Sequence, residues 1–227
     1  MTVIKALIFD FDGLILDTEG PELQAWLEIY HQYGCVFPLS QWLETIGGTV
    51  LFDPCISLEK QLGRQVGCAA FSAQHRSRFL ELLVVEGLLP GVERVILDAK
   101  QLGLRLGIAS SSSQQWVNGH LRRFMLTNHF DVVICADDVE RVKPDPALYL
   151  RSLEKLGVQA DEAIAFEDSW NGILAAKRAG VFCVVVPGEL TRKLPLDSAD
   201  MRLSSLVELQ LELLLKSDLT SRLREKG

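Results

Sequence analysis

Carboxylate and hydroxyl side chains follow three apolar runs of this 227-residue sequence, at the point where each run ends. Residues 10–13 (Asp-Phe-Asp-Gly) close the first run, three serines at 110–112 close the second, and Glu167-Asp168 closes a later one. If the runs are neighbouring strands of a parallel sheet, their carboxyl ends meet at one edge, where such sheets bind ligands. These segments are therefore the candidate site.

The residue types at this edge suit the transfer of a phosphoryl group. Asp10 and Asp12 point the same way if the run is extended, and they would repel Asp168 in a shared cleft. A hard cation with oxygen ligands relieves that repulsion, and Mg²⁺ fits because it keeps sites open for water and phosphate. Lys143, in the Lys-Pro-Asp-Pro segment, adds a fixed positive charge. Alignment and neutralisation of charge are most of what phosphoryl transfer requires.

The runs that position these groups are apolar nearly throughout, which is typical of strands covered on both faces. Helical spacing of apolar residues separates them, and Gly103, Gly157 and Gly180 stand where helices are expected to end. Repeated strand–helix alternation predicts an α/β fold with a doubly wound parallel sheet. The predicted strands are residues 3–9, 104–109, 132–136, 163–166 and 182–186.

One stretch, residues 17–87, interrupts this alternation because it shows helical patterns and no convincing strand. Turn-forming pairs stand near its ends, Gly20-Pro21 on one side and Pro90-Gly91 on the other. We therefore predict an α/β core made of residues 1–16 and 88–227, with residues 17–87 inserted as a second, helical domain. A last amphipathic helix is expected over 205–215, with a polar tail after Lys216.

Composition limits the classes of function. The net charge of −7 argues against a nucleic-acid partner, and the apolar runs are too short for a membrane span. The cysteines are odd in number and widely spaced, which argues against a zinc site or a disulfide and favours a reducing cytoplasm. We expect a small-molecule partner and a monomer or weak dimer. The five cysteines are Cys35, Cys55, Cys68, Cys135 and Cys183.

Four segments together resemble the motifs of the haloacid dehalogenase superfamily, in that family's order and over essentially the whole chain. They are Asp-Phe-Asp-Gly-Leu-Ile-Leu-Asp-Thr-Glu from Asp10, the strand-ending Ser110, Lys-Pro-Asp-Pro from Lys143, and Phe-Glu-Asp-Ser-Trp-Asn-Gly from Phe166. The helical insertion is similar to the cap domain of the branch that contains phosphatases and β-phosphoglucomutases.

The resemblance implies a role for each site residue. Asp10 would be the nucleophile that forms an aspartyl-phosphate, and Asp12 the acid and base of the two half-reactions. Ser110 and Ser111 would bind the phosphoryl group, and Lys143 would balance its charge. Magnesium would be held by Asp10, the backbone carbonyl of Asp12, Glu167 and Asp168. Dehalogenases in the superfamily lack the second aspartate, so Asp12 favours phosphate esters.

Three functions remain open, and a phosphatase for a small phosphorylated metabolite is the first choice. A β-phosphoglucomutase-like enzyme shares every motif. The mutases, however, have a histidine where this chain has Glu22, and charged or amide groups where it has Ser113-Gln114. The insertion loop 45–53 holds no Arg or Lys, although Arg64, Arg76 or Arg78 could substitute. A regulatory module with the same fold would be expected to have lost a catalytic carboxylate or the lysine.

Simpler explanations exist for individual residues. Ser110 could be an ordinary helix N-cap, Lys143 a surface lysine, and Asp168 the cap of a helix that starts near Asn171. If the insertion is a cap on two linkers, we expect it to rotate as a rigid body near Gly20-Pro21 and residues 88–91.

Overall fold

The predicted apolar runs form the centre of a parallel sheet in the computed structural model, which describes residues 3–46 and 52–216. The strand order is β3-β2-β1-β4-β5-β6, so β1 lies between β2 and β4. All five predicted strands are confirmed, and the two-residue β6 was too short to recognise. The strands are β1 Ala6–Phe9, β2 Arg105–Ala109, β3 Val132–Ile134, β4 Ala163–Glu167, β5 Phe182–Val185 and β6 Met201–Arg202.

Helices cover both faces of the sheet, as the continuous apolar runs predicted. Leu7 and Phe9 of β1 pack into one apolar cluster, with helices α5 (Val92–Gln101) and α6 (Gln114–Arg123). Ala6 and Ile8 point to the other face and pack with α7 (Ala147–Leu156) and α8 (Trp170–Arg178). Alternate residues of a strand thus enter two cores. The doubly wound α/β fold is confirmed.

Among the described residues, four helices lie between β1 and α5 and form the inserted helical part. They have an apolar cluster of their own, built around Trp26, Tyr30 and Phe71. Phe79 near the end of the fourth helix packs instead into a core cluster of the sheet. We call these four the cap helices: α1 Glu19–Gln32, α2 Leu39–Leu43, α3 Pro54–Leu62 and α4 Cys68–Leu83. The domain boundaries at residues 16/17 and 87/88 stay a prediction.

Two local expectations were wrong. Gly20 and Pro21 lie in the first turn of α1 and not in a turn before it. A proline is tolerated there because first-turn N–H groups have no partner within the helix. The helix expected over 205–215 is divided into a 3₁₀ turn, Leu206–Glu208, and α9, Leu211–Lys216. Arg94 donates to the carbonyls of Leu206, Val207 and Leu209, which satisfies the backbone where the helix is interrupted. The polar tail after Lys216 lies outside the described residues.

The expectation that no disulfide forms was also wrong. Cys55 and Cys68 are joined in a disulfide between the first turns of α3 and α4, with their Cα atoms 5.6 Å apart. The 13-residue separation could not reveal this pairing, because it depends on how the two helices reverse direction. Cys135 and Cys183 are buried free thiols, and Cys35 is partly buried.

We expect thiol titration in denaturant to find three free thiols per chain in air-oxidised protein and five after reduction. Cys55→Ser should leave four free thiols in the oxidised protein, because Cys68 loses its partner. Five thiols in protein purified without reductant would contradict the bridge.

No helix in the described ranges is both long enough and apolar enough to cross a membrane.

Candidate active site

The ends of adjacent strands bring the predicted acidic residues together. Asp10 follows β1 directly, and its backbone N–H donates to the carbonyl of Phe166 in β4. Glu167 is the last residue of β4, and Asp168 follows it. All three side chains are almost completely buried, with Asp10 4 % exposed. Parallel pairing of β1 with β4 therefore places three carboxylates at one sheet edge.

Lys143 lies among these carboxylates and is not a surface lysine. Its Nζ is 2.7 Å from Asp10 Oδ1 and 2.7 Å from Glu167 Oε1, and the side chain is 1 % exposed. Burial alone lowers the pKa of Lys143, but the two carboxylates raise it above its usual range. Burial, followed by repulsion from Glu167, raises the pKa of Asp10 despite the nearby ammonium. Tyr149 Oη donates to the same Glu167 Oε1 and helps to hold this carboxylate in place.

Three carboxylates and one ammonium leave a net negative charge, which a divalent cation would balance. Asp10, Glu167 and Asp168 each offer an oxygen atom, and the three atoms lie within 4.8 Å of one another. Both carboxylate oxygens of Asp168 are buried without a hydrogen-bond partner, and burial raises its pKa well above the usual range. Orphaned carboxylate oxygens are the ligands that Mg²⁺ prefers. The residues present therefore fit the ion.

Asp168 is not the N-cap of the helix that follows it, which was the simpler explanation for this residue. Ser169, and not Asp168, caps α8 by accepting from the Gly172 N–H at 3.2 Å. Gly13 has a φ of +77°, and a Cβ atom there would lie 2.3 Å from Asp168 Oδ2. Glycine is thus required for the loop after β1 to pass so close to this carboxylate.

Asp12 is held by groups from the segment after β2. Its Oδ2 accepts from Ser112 Oγ at 2.6 Å, and its Oδ1 accepts from Trp116 Nε1 at 2.9 Å. Ser110 Oγ is 3.5 Å from Oδ2, which is a weak contact. Burial raises the pKa of Asp12, although the hydrogen bonds from Ser112 and Trp116 oppose it. A raised pKa favours the protonated form that a general acid needs.

The three serines after β2 have different surroundings. Ser110 is fully buried, and its Oγ accepts from the Ser112 N–H at 3.0 Å. Ser111 Oγ has no hydrogen-bond partner and lies beside the cavity described below. Ser113 caps α6 by accepting from the Trp116 N–H, so Ser110 is not the N-cap. Ser111 therefore has a hydroxyl free to bind a ligand.

A cavity of about 590 Å³ separates this edge from the cap helices. Asp10 and Asp12 lie on its floor, with Ser111 beside them. Its walls carry the rings of both cap tryptophans. Among the described lining residues, Arg76 carries the one guanidinium or ammonium group. The cap side is lined by Trp26, Trp42, Phe52, His75, Arg76 and Phe79.

Three residues that line the cavity, Ser112, Trp116 and Glu19, were not assigned a function from the sequence pattern. Ser112 and Trp116 contact Asp12, but a serine run and a helix tryptophan carry no distinguishing spacing. Glu19 also lines the cavity, and its pKa is raised well above the usual range by burial and then by Asp17 and Asp10. Its position as the last residue of the first motif is the signal that could have found it.

Glu22 faces the same cavity from α1. Burial and then the charge of Asp12 raise its pKa from 4.5 to about 7, while Arg76 opposes the shift. Between those pH values the unfolded chain has released the proton and the folded chain still holds it. The folded state therefore loses stability as pH rises from 4.5 through 7.

We expect Glu22→Gln to raise the free energy of unfolding relative to wild type by about 2 kcal/mol at pH 8 and by much less at pH 5. Urea unfolding in EDTA at both pH values measures the difference. Glu28→Gln is the matched control: Arg78 lowers the pKa of Glu28 below 4.5, so Glu28 is ionised in both the folded and the unfolded chain at these pH values, and the effect of the substitution should hardly change between pH 5 and pH 8. A Glu22→Gln difference that does not change with pH would contradict the assignment.

Known proteins are similar to this chain in sequence and in fold. A family model for "Haloacid dehalogenase-like hydrolase" matches residues 7–186. The Bacillus subtilis (strain 168) protein named "Putative phosphatase YhcW" is 48% identical over 94% of this chain and 97% of its own length. Hexitol phosphatase B of Escherichia coli (strain K12) is 33% identical over 91% and 94%. A crystal structure of a CbbY variant from Rhodobacter sphaeroides with xylulose-1,5-bisphosphate has a TM-score of 0.72, at 31% identity over 91% and 96%.

The family match covers most of the chain, and it includes the strands and loops that supply the carboxylates and the lysine. The sheet order and the helices inserted after β1 agree with it. The chain belongs to the haloacid dehalogenase-like hydrolases and is an enzyme of that family.

Proposed function

We propose that the chain is a Mg²⁺-dependent phosphatase that hydrolyses a small phosphorylated metabolite through an aspartyl-phosphate on Asp10. The single observation that carries this proposal is the geometry of Asp10, which lies on the cavity floor 2.7 Å from the buried ammonium of Lys143. A carboxylate held between an ammonium and a cation-binding cluster can approach a phosphate dianion without prohibitive repulsion.

The chemistry divides into two half-reactions at these residues. An oxygen of Asp10 attacks phosphorus, the bond from phosphorus to the leaving oxygen breaks, and Asp12 gives that oxygen a proton. Water then attacks the phosphorus of the aspartyl-phosphate, and Asp12 takes a proton from it. Inorganic phosphate leaves, Asp10 is again a carboxylate, and Asp12 again carries its proton. Asp10, the Asp12 backbone carbonyl, Glu167 and Asp168 would hold Mg²⁺, which would neutralise the charge that develops on the phosphoryl oxygens.

The phosphoryl group also needs hydrogen-bond donors. Ser111 supplies a free hydroxyl beside the cavity, and Ser110 lies behind it next to Asp12. Lys143 holds Asp10 and compensates the charge that the phosphoryl group adds. These assignments make Asp10, Asp12, Ser110 and Lys143 catalytic, with Ser110, Ser111 and Lys143 binding the phosphate.

The cavity supports a leaving group of the size of a sugar or sugar alcohol. Its volume of about 590 Å³ lies in the range of small-molecule sites. Trp26, Trp42 and Phe52 offer apolar ring faces, while Glu22 and Thr45 offer polar atoms at the same wall. The likeness to a hexitol phosphatase supports the same substrate class.

Arg76 gives the mutase alternative its one favourable observation. A phosphomutase must hold a second phosphate, and a guanidinium group suits that purpose. Arg76 lines the cavity, whereas Arg78 is paired with Glu28 and Glu81, and Arg64 only approaches the carbonyl of Gln65. Ser113 and Gln114, at the positions where mutases bind the second phosphate, carry no charge. Residues 47–51 of the insertion loop lie outside the described residues.

A phosphate-release assay tests the proposed function. Purified protein with Mg²⁺ is offered a panel of sugar and sugar-alcohol monophosphates, with and without EDTA and in parallel with Asp10→Asn. We expect release that requires Mg²⁺ and Asp10. The proposal fails if no phosphomonoester in a broad panel is hydrolysed, or if EDTA leaves the rate unchanged.

Phosphorus NMR distinguishes hydrolysis of the phosphoenzyme from transfer of its phosphoryl group to a sugar phosphate. We expect β-glucose 1-phosphate, with Mg²⁺ and a catalytic amount of the 1,6-bisphosphate, to give inorganic phosphate as the main product. Rapid accumulation of glucose 6-phosphate with little free phosphate would establish the mutase. Arg76→Gln should then remove that activity and leave hydrolysis in place.

We also propose that residues 17–87 act as a cap whose rotation opens and closes the cavity, with residues 1–16 and 88–227 as the core. The cavity between the cap helices and the strand ends supports this, because a substrate closed inside it would be shielded from water. Small-angle scattering with and without a phosphate analogue tests it. Identical profiles and identical inter-domain geometry in both states would remove the support.

A further inference from the structure

Trp116, in the first turn of α6, makes a direct contact with the acid/base carboxyl. Its indole N–H donates to Asp12 Oδ1 at 2.9 Å, while Ser112 Oγ donates to Oδ2 at 2.6 Å. Donors on both oxygens fix the position and the rotation of the carboxyl plane. A hydrogen bond to a charged group is stronger than one between neutral groups.

The indole ring is itself held in place by two helices. His120, one turn later in α6, packs edge-on against it with ring centroids 4.4 Å apart. From α4 of the cap, Phe79 stacks at 5.8 Å and the Arg76 guanidinium lies 5.2 Å from the ring centroid. The ring that orients Asp12 thus lies between the core and the cap.

We propose that Trp116 is a positioning residue for the proposed phosphatase reaction: it holds the Asp12 carboxyl in the orientation for proton transfer, with its own ring fixed by α4 of the cap. The inference rests on the proposed role of Asp12. It predicts that loss of the indole N–H affects proton delivery to the leaving oxygen and does not affect phosphate binding.

The kinetic test compares leaving groups in Trp116→Phe, which removes the N–H and keeps an aromatic ring against Phe79 and His120. For an alkyl phosphate that the wild type hydrolyses, we expect kcat/KM to fall about 10- to 100-fold, the value of a hydrogen bond to a charged group. For p-nitrophenyl phosphate, whose leaving group departs without a proton, we expect a fall below about 3-fold. Inhibition by inorganic phosphate should be unchanged.

Trp170→Phe is the matched control. Trp170 begins α8, is 39 % exposed and lies outside the cavity lining, so both substrates should react at the wild-type rate. Equal losses for the alkyl and aryl substrates in Trp116→Phe would indicate a general structural role and overturn the proposal. No loss for either substrate would overturn it as well.

A spectroscopic measurement separates this inference from the proposed function. The ¹⁵N–¹H spectrum should show an indole resonance that disappears in Trp116→Phe and shifts in Asp12→Asn. It should also shift in Phe79→Ala, because α4 fixes the ring. The indole resonances of Trp42 and Trp170 should move much less. If the Trp116 resonance is unchanged by Asp12→Asn, the contact is absent and the proposal fails, whether or not any substrate has been found.

Discussion

Asp10→Asn is expected to lower kcat/KM for phosphate release about 10⁴-fold or more, because the amide cannot attack phosphorus. The variant keeps the size of the side chain and can still accept the Phe11 N–H that Asp10 accepts at 2.7 Å. Lys143 also keeps a carboxylate partner, since Glu167 lies 2.7 Å from its Nζ. The loss should therefore be chemical and not a failure to fold.

Stability provides the check on that interpretation. Burial raises the pKa of Asp10, so its charged form disfavours the folded state in the absence of a metal ion. In EDTA at neutral pH, Asp10→Asn should melt at the wild-type temperature or above it. Asp98→Asn, on the surface of α5 beside Arg94, is a matched control that should keep full activity. Full Mg²⁺-dependent turnover by Asp10→Asn, with intact mass excluding deamidation, would falsify the assigned nucleophile.

The strands and the acidic edge could be predicted because their signals are local. Strands buried on both faces leave continuous apolar runs, and polar residues such as Asp10 and Glu167 end two of them. Parallel topology then brings those ends together. The four motifs in order placed Lys143 in the site, but its pairing with both carboxylates depends on the loop that precedes α7 and was not predicted.

The wall of the cavity could not be predicted, because it depends on how the cap helices pack over the sheet. Arg76 and Arg78 are two residues apart on α4, yet one lines the cavity and the other pairs with Glu28. Helical periodicity shows that they lie on different faces but does not show which face meets the core. The link from Trp116 to Asp12 spans 104 positions and has no sequence signal.

The disulfide and the broken last helix illustrate the same limit. Cys55 and Cys68 meet because α3 and α4 start beside each other, which their spacing alone does not indicate. The apolar period around Leu206 and Leu211 fits a continuous helix. The guanidinium of Arg94, more than 110 positions earlier in the chain, satisfies three backbone carbonyls there. Long-range polar contacts of this kind override local helix patterns.

Asp12→Asn is expected to lower kcat/KM for an alkyl phosphate about 10²- to 10⁴-fold, the usual contribution of a general acid. The amide fits the same site, because its Oδ1 can accept from Trp116 Nε1 and its Nδ2 can donate to Ser112 Oγ. The variant therefore removes the transferable proton while the surrounding contacts are kept. With p-nitrophenyl phosphate the same substitution should cost far less, because that leaving group departs unprotonated.

The second half-reaction gives the sharper readout. Without Asp12 as a base, water attacks the aspartyl-phosphate slowly, so p-nitrophenyl phosphate should convert Asp12→Asn to a phosphoenzyme. Acid quenching followed by intact-mass measurement should show one added phosphoryl group per chain, and mapping should place it on Asp10. Asp10→Asn/Asp12→Asn should show none. Equal losses for both leaving groups and no trapped phosphoenzyme would mean that Asp12 acts only by shaping the site around Asp10.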